Sequence, residues 1–359
     1  MSDGVRRPVA DGSRTRAFVR RSCLDVLDLG DLEPVDSHAI WHAFAHRCER
    51  PTLLVARPRS AYVSLGYHRH REELDWGEIQ ARRVPVVRRR VGGGPVWLDQ
   101  RQRFFQVILP RDHVVAAVRG PKFAAWILER VARSWRRLGL ETVLDGHGEI
   151  SCQGRKVCGH GSGEIAASLV VVGNLLEAFD PEAAAGILSL SRIAREEAVA
   201  AMRRHVGPSR ALVVDPEDFV ASLVQELAEI LGDPRPGILE LDQDLIARYR
   251  SLVDEDNDGW VRGAPNSARR SVKIRAGVWL HDLEHEGRRC VLLVEEGRLT
   301  RLRHEEGSAV TDPALLRRRI ERDRSLAMLL ASVGASLGDE DDRTYRRGGV
   351  DDVTRLPRL

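Results

Sequence analysis

The sequence predicts an α+β fold, in which a mixed or antiparallel sheet is flanked by helices and a smaller α+β unit follows it. Residues 23–110 alternate short apolar segments with turn residues, which is typical of strands and hairpins. Residues 122–140 instead repeat apolar side chains at three- and four-residue spacing, which predicts an amphipathic helix. Because strands and helices follow one another in blocks, a doubly wound parallel sheet is not expected.

The predicted elements follow in chain order. An early helix is expected from Ser37 to His46, with Asp36 or Ser37 as its N-cap. Residues 181–232 are predicted to be helical again, with a break at Pro208. The predicted strands of this part of the chain are residues 52–56, 62–65, 84–89, 104–109, 149–153 and 168–176.

A domain boundary is predicted near residue 235, within the segment Gly-Asp-Pro-Arg-Pro-Gly at 232–237. Beyond it we expect two strands, at 273–283 and 289–303, joined by a turn at Glu286-Gly287, and then one helix over about 312–337. The main domain is therefore predicted over 23–235 and a small accessory domain over 236–337. The charged termini, residues 1–22 and 338–359, are predicted to be a disordered leader and tail.

The composition narrows the class of protein. The net charge is only +3 and aromatic residues make up 5% of the chain, so basic patches combined with stacking aromatics, as nucleic-acid-binding proteins use them, are not evident. No apolar run approaches the roughly 20 residues that span a bilayer, and the N-terminus lacks a secretory pattern. The five cysteines indicate neither a disulfide framework nor a zinc site. We expect a cytoplasmic monomer that binds neither nucleic acid nor membrane.

Lysine is almost absent from this chain. Of its 56 basic residues, only Lys122, Lys156 and Lys273 are lysines. Arginine serves wherever a bare positive charge is enough, so a surviving lysine can mark a place where a compact ammonium is required. Genomic base composition is the alternative explanation of this bias. Lys156 stands out because it lies between turn glycines, where a catalytic cation could be placed.

Three segments could form a site. The glycines of RRRVGGGPV, at residues 88–96, let backbone N–H groups approach an anion, although a plain hairpin turn is the alternative. This segment matches neither a P-loop nor a dinucleotide-binding fingerprint. The segment at 148–159 predicts two strands around a turn, and Lys156 on the second could neutralise phosphate and carboxyl oxygens during acyl-adenylate formation, unless it is simply a solvated lysine. The third segment, VGNLL at 172–176, ends a strand.

In their order and spacing, these segments resemble the lipoate–protein ligase A family of the biotin and lipoate ligase superfamily. The resemblance covers roughly residues 23–205 and includes YVSLGYH at 62–68. Residues 240–305 resemble, more weakly, an accessory domain that some of these ligases carry. The GRGRxGRxW loop of biotin ligases is absent, which makes that activity less expected.

The resemblance implies an enzyme that uses ATP and Mg²⁺ to convert lipoate, or a similar medium-chain acid, into acyl-AMP. The acyl group would then pass to a lysine of a lipoyl-domain or H-protein-like acceptor. The resemblance further implies Lys156 as the catalytic residue, Glu149 as a candidate metal ligand and Lys273 as a possible site residue of the accessory domain. The residues that it implies for binding of the substrate and lipoyl-AMP are Arg88, Gly92, Gly93, Gly94, Pro95, Val96, Tyr67, His68, Gly159, Gly173 and Asn174.

The chain departs from the family pattern at Val91, Leu98, Gly148 and Val172. Two alternatives therefore stay open. One is an octanoyl or lipoyl transferase of the same fold, which works without ATP through a cysteine nucleophile. Cys152 and Cys158 flank Lys156 but stand at positions unlike those of such nucleophiles, and small buried hydrophobes are the simpler interpretation. The other alternative is a non-catalytic relative that only binds the lipoyl group.

Overall fold

The computed structural model describes residues 23–113, 115, 121–146, 148–208, 214–237, 242–253 and 269–336. Its largest sheet has six strands in the order β10-β11-β6-β2-β1-β12. The sheet is mixed, because β1 pairs in parallel with β2 and β12, whereas β6 pairs antiparallel with β2 and β11. These strands are β1 (Cys23–Leu32), β2 (Thr52–Pro58), β6 (Gln102–Pro110), β10 (Cys158–Ile165), β11 (Ser168–Leu176) and β12 (Asp233–Pro236).

Two separate three-stranded sheets carry the segments that the sequence predicts to form a site. The first has the order β4-β3-β5 and the second the order β7-β8-β9. The first sheet carries the glycine loop, which we define as residues 89–95 between β4 and β5, and the second carries Lys156 on β9. The strands are β3 (Tyr62–Leu65), β4 (Val86–Arg88), β5 (Val96–Leu98), β7 (Thr142–Leu144), β8 (Ile150–Cys152) and β9 (Arg155–Lys156).

Helices cover both faces of the main sheet. On one face, α3 and α6 pack together over a core that contains Phe105, Trp135 and Phe219. On the other face, α1 packs over Leu54 and Ile108, and α7 in turn packs against α1. The helices up to this point are α1 (Asp36–His46), α2 (Trp76–Arg82), α3 (Pro121–Arg137), α4 (Pro181–Gly186), α5 (Arg192–His205), α6 (Pro216–Leu231) and α7 (Gln243–Leu252).

A four-stranded antiparallel sheet, in the order β13-β14-β15-β16, forms the C-terminal part of the described chain. One face contributes Ile274, Leu280 and Leu293 to the same apolar core as the helices α4 and α5. The other face is covered by the last two helices. These elements are β13 (Arg269–Arg275), β14 (Val278–His285), β15 (Arg288–Glu295), β16 (Arg298–His304), α8 (Pro313–Arg322) and α9 (Arg324–Ser332).

The predicted α+β class with a mixed sheet and a smaller C-terminal α+β unit is confirmed, but several details were wrong. Each of the two strands predicted after residue 272 is a pair of strands, because left-handed turns at Gly277 and Gly297 reverse the chain. The single helix expected at 312–337 is two helices, since Asp323 ends α8 and caps α9. Helix α1 begins at Asp36, so neither Asp36 nor Ser37 is its N-cap.

The segment in which the domain boundary was predicted takes part in the main sheet. Residues 233–236 form β12, which adds to the edge of the main sheet beside β1. The leader and tail predictions, at 1–22 and 338–359, fall outside the described residues. Among the residues that are described, none of the helices combines the length and hydrophobicity that a bilayer crossing requires.

Candidate active site

A cavity of about 1230 Å³ lies between the main sheet, the glycine loop and the C-terminal sheet. This volume exceeds the roughly 300–1,000 Å³ that is usual for one small ligand, so the cavity has room for two substrates side by side. It brings together nearly all the residues predicted for the site. Those that line it are Tyr67, His68, Gly92, Gly93, Gly94, Pro95, Val96, Glu149, Lys156, Gly159, Gly173, Asn174 and Lys273.

The glycine loop lies across the edge strand β10. Gly161 and Gly163 lie on one face of that strand, where a Cβ at Gly161 would stand 3.1 Å from Val91 Cγ2, and one at Gly163 would stand 3.3 Å from the Arg90 carbonyl oxygen. The absence of these side chains lets the loop approach the strand closely. The alternating glycines of CGHGSGEI are a sequence signal for this crossing, which was not predicted.

Within the loop, the three glycines differ. Gly93 has φ +104°, a conformation that favours glycine, and a Cβ there would stand 2.6 Å from Arg89 Nη2. A Cβ at Gly92 or Gly94 would meet nothing within 4 Å. The protein itself therefore requires glycine only at Gly93, whereas Gly92 and Gly94 leave open backbone at the cavity.

Arg89, which the sequence analysis did not single out, holds this loop. Its Nη1 donates to the Ser64 carbonyl at 2.7 Å, and its Nη2 donates to the carbonyls of Gly92 and Gly94 at 3.0 and 2.9 Å. Burial lowers the pKa of Arg89 to about 10, so the guanidinium remains charged at neutral pH. Predicted site residue Arg88 is fully buried and is not among the described residues that line the cavity, because its Nη1 donates to the Arg69 carbonyl at 2.7 Å. Its position favours a supporting role.

Helix α1 supplies a second anchor for the loop. His42 is fully buried, and its Nε2 accepts the Arg90 backbone N–H at 3.0 Å. The other ring nitrogen must then carry the proton, which Nδ1 donates to the His38 carbonyl at 2.6 Å. Burial lowers the pKa of His42 to about 3, so the ring is neutral near pH 7. This contact joins residues 48 positions apart, and no local sequence pattern indicates it.

Lys156 is placed by its neighbours on both sides. Arg155 donates to the carbonyls of Arg203, Arg204 and Val206 at the C-terminal end of α5, where carbonyl groups lack helical partners. This capping fixes β9 against α5. The Lys156 ammonium then reaches the cavity, and its Nζ donates to Glu149 Oε2 at 3.1 Å.

Glu149 connects Lys156 to the C-terminal sheet. It is buried, and both of its carboxylate oxygens accept the backbone N–H of Ala276 at 3.0 Å. A carboxylate that already serves an ammonium and a backbone amide does not fit the predicted role of metal ligand. Within the described part of the chain, three potential metal ligands converge at His285, Glu286 and Asp323, none of which lines the cavity.

His160, on β10, adds an imidazole to the Lys156 end of the cavity. Burial first, and then the charges of Lys156 and Lys273, lower the pKa of His160 to about 4, against the opposing effect of Asp145. Its Nδ1 is buried and finds no hydrogen-bond partner among the residues that the structure describes. The electrostatic effect on His160 means that both lysines act on the same part of the cavity.

The remaining predicted residues line the cavity in different ways. Asn174 is buried, and its Oδ1 accepts the Gly159 N–H at 2.8 Å while its Nδ2 donates to Gln102. Its amide therefore supports the floor of the cavity. A Cβ at Gly173 would stand 2.4 Å from Phe105 Cζ, so glycine is required there by packing. Tyr67 and His68 form a ring pair with centroids 4.1 Å apart.

The cysteines do not form part of the cavity wall. All five lie among the described residues, all are free, and none lines the cavity. Burial raises the pKa of Cys158 to about 12, and it also raises the pKa of Cys152. The interpretation of both residues as small buried side chains agrees with these positions.

Comparison with known proteins identifies the class. Residues 37–228 match the family model described as the lipoyl protein ligase A/B catalytic domain. The chain therefore belongs to the lipoyl protein ligase A/B family, whose members are enzymes of the ligase and transferase class. A search of curated proteins finds no significant match.

Solved structures agree with this fold. A bipartite lipoate protein ligase of Thermoplasma acidophilum, described with its E2 lipoyl domain, is similar with a TM-score of 0.57 at 20% identity, over 68% of this chain and 99% of the other. A lipoate-protein ligase A bound with ATP gives 0.53 at 21%, over 67% and 98%. P. falciparum LipL1 in complex with lipoate gives 0.52 at 13%, over 78% and 84%. At these identities the likeness shows the fold.

Proposed function

We propose that this protein is an ATP-dependent lipoate–protein ligase. The observation that carries the proposal is the meeting, in one cavity, of the Lys156 ammonium and the open backbone at Gly92 and Gly94. An ammonium and free backbone N–H groups are the groups that stabilise phosphate and carboxylate oxygens during acyl activation. The large volume supports binding of a nucleotide and an acid together.

The proposed first step joins the two substrates. A carboxylate oxygen of lipoate, or of a similar medium-chain acid, attacks the α-phosphorus of ATP, and the bond from that phosphorus to the bridging oxygen of pyrophosphate breaks. The products are acyl-AMP and pyrophosphate. Lys156 neutralises the negative charge that gathers on the carboxyl and α-phosphate oxygens, and the loop backbone orients them. Mg²⁺ enters this proposal as the counterion of the triphosphate, and no residue of the chain is assigned to hold it.

In the proposed second step, the amine of an acceptor lysine attacks the acyl carbon, an amide forms and AMP leaves. The acceptor would be a lipoyl domain or an H-protein-like domain. The T. acidophilum ligase described with its E2 lipoyl domain supports the first of these classes. We further propose a cytoplasmic, monomeric enzyme whose catalytic domain spans 23–235 and whose accessory domain spans 236–337.

A transfer reaction without ATP is less well supported. It would need a reactive thiol beside the acyl carbon. Cys152 and Cys158, the two cysteines nearest Lys156 in the chain, do not line the cavity, and burial raises the pKa of both thiols. A raised pKa keeps a thiol protonated and therefore weakly nucleophilic.

The test is adenylate formation, measured as release of pyrophosphate from ATP and lipoate. Lys156→Ala is expected to lower the rate on the order of 100-fold or more, because it removes the charge that faces the reacting oxygens. Lys122→Ala is the matched control, since Lys122 is exposed on α3 and does not line the cavity. Full activity of Lys156→Ala would exclude the proposed role of this lysine. A wild-type protein that binds lipoyl-AMP tightly but never transfers the group would instead favour a non-catalytic relative.

A further inference from the structure

A second lysine reaches the same cavity from the C-terminal sheet. Lys273 lies on β13, which is an edge strand of that sheet, and its side chain is exposed at the cavity. Within the part of the chain that the structure describes, no carboxylate forms an ion pair with it. Two of the three lysines of the chain thus line one cavity, although 117 positions separate them in the sequence.

The charges of the two lysines differ in how they are balanced. Lys156 has Glu149 as its counterion at 3.1 Å. The same carboxylate accepts the N–H of Ala276, three positions after Lys273. This contact holds the end of β13 beside Lys156, whereas Lys273 has no counterion among the described residues. The uncompensated positive charge of this region therefore lies at Lys273.

His160 extends this positive region. Its ring is neutral near pH 7, and both lysines act on it electrostatically. No described residue bonds to the buried Nδ1, and an unbonded buried polar atom is unfavourable unless a ligand or water bonds to it. Two ammonium groups and an incompletely bonded imidazole are suited to an anion that carries several oxygen atoms.

The position of Lys273 is fixed by the way the C-terminal sheet packs. Asp282 is buried and accepts the N–H and the hydroxyl of Ser191 at 2.7 and 3.0 Å, at the start of α5. Buried Glu197 of α5 pairs with Arg301 and Arg303 at 2.6 and 3.1 Å. Together with the shared apolar core, these contacts fix the C-terminal sheet against α5, and β13 therefore stays beside the cavity.

We propose that Lys273 binds the leaving pyrophosphate of the nucleoside triphosphate, while Lys156 serves the reacting α-phosphate. This rests on the proposed ligase function and deepens it. When the carboxylate oxygen bonds to the α-phosphorus, the electron pair of the breaking P–O bond remains on pyrophosphate. Lys273 neutralises that charge. The C-terminal sheet thus forms part of the site where the acid is activated, and its Lys273 acts in the first step of the reaction.

The experiment compares Lys273→Met with the control Lys122→Met in the full chain. Isothermal titration with inorganic pyrophosphate is expected to show about a tenfold loss of affinity for Lys273→Met and less than a twofold change for the control. In steady-state adenylate formation, the KM for ATP should rise by a similar factor while the KM for lipoate stays unchanged. Lys273→Arg should restore part of the pyrophosphate affinity, because the charge is kept. Circular dichroism checks that both methionine variants fold.

The outcomes separate this inference from the proposed function. Unchanged pyrophosphate affinity in Lys273→Met would overturn the inference, even if the wild type is an active ligase. The same holds if only transfer to the acceptor domain is impaired, because Lys273 would then meet the protein partner. Conversely, lost pyrophosphate affinity in a protein that activates no acid would support the subsite and contradict the ligase function.

Discussion

Two walls of the cavity are held in place by different contacts. The loop wall, residues 89–97, is anchored by the Arg89 guanidinium, which bonds to Ser64 and to the loop carbonyls, and by His42 of α1. The lysine wall, residues 149–156, is anchored to the C-terminal sheet through Glu149 and the Ala276 N–H. The loop wall is therefore held by its own guanidinium and by α1, whereas the lysine wall is held both by α5, through Arg155, and by the C-terminal sheet, through the Ala276 N–H. The two walls should respond differently to substitution.

The largest effect on stability is expected at Arg89, in the loop wall. Arg89→Met would leave the buried carbonyl of Ser64 without its donor, and would also remove the donor of the more exposed carbonyls of Gly92 and Gly94. We expect a loss of about 3 kcal/mol in the free energy of unfolding, measured by urea denaturation. Arg192→Met is the control, because the Arg192 side chain is 74% exposed in its pair with Glu196 and its loss should change stability by less than about 0.5 kcal/mol. If the two variants are equally stable, the conformation of the loop does not depend on Arg89.

The next effect separates Gly92 of the loop wall from Gly66, which packs against that wall. A Cβ at Gly66 would stand 2.0 Å from the Gly93 carbonyl oxygen, so Gly66→Ala must displace the loop. We expect it to lower stability by about 2 kcal/mol. Gly92→Ala should be neutral in stability, since a Cβ there meets nothing within 4 Å, but its methyl group would occupy the cavity and weaken ligand binding. Thermal unfolding together with titration of ATP distinguishes the two. A destabilised Gly92→Ala would contradict the assignment of Gly92 to ligand contact.

Whether a feature of the fold or of the site could be predicted depends on how far apart its interacting residues lie in the sequence. The strand at 62–65, the glycine loop and Lys156 are recognised from local patterns, because turn glycines and β-branched segments act over a few residues. Arg89 could not be separated from its neighbours Arg88 and Arg90 by sequence, since only the fold decides which guanidinium turns towards the loop carbonyls. The contact of Glu149 with Ala276 uses a backbone N–H, which every residue except proline carries, so no residue type indicates it.

A smaller effect on stability is expected in the lysine wall, where two substitutions of Glu149 separate the contributions of its two interactions. Glu149→Gln keeps an oxygen for the Ala276 N–H but removes the counterion of Lys156, and should lower stability by about 1 kcal/mol because Lys156 is partly exposed. Glu149→Ala also removes the acceptor of the Ala276 N–H, and should lower stability by roughly 1 kcal/mol more. Urea denaturation of both variants measures the difference. Identical values would mean that the link to the C-terminal sheet contributes nothing to stability.

The smallest effect on stability is expected from mild acid, which should weaken the loop wall before the lysine wall. Burial, with a contribution from Arg90, lowers the pKa of His42 from 6.5 to about 3 in the folded state. Between these two values the unfolded chain binds a proton that the folded one does not, so stability falls as the pH falls from 6.5 towards 3. From pH 7 to pH 6 this amounts to less than about 1 kcal/mol for one histidine.

Proton uptake by His42 is linked to one hydrogen bond, from the Arg90 N–H to His42 Nε2, so the two walls can be compared by measurement. A protonated His42 can no longer accept the Arg90 N–H, because both ring nitrogens are then donors. In the folded state His42 stays neutral at pH 6, but an opening that releases His42 from Arg90 exposes a ring of ordinary pKa, which binds a proton more readily at pH 6 than at pH 7. Hydrogen-exchange protection of the Arg90 amide should therefore decrease by up to about threefold on going from pH 7 to pH 6, after correction for the intrinsic rate. The Ala276 amide, which bonds to a carboxylate, should keep its protection, and His42→Gln should remove most of the pH dependence at Arg90. An equal loss of protection at both amides would mean that acid loosens the two walls together, and that their anchors are not independent.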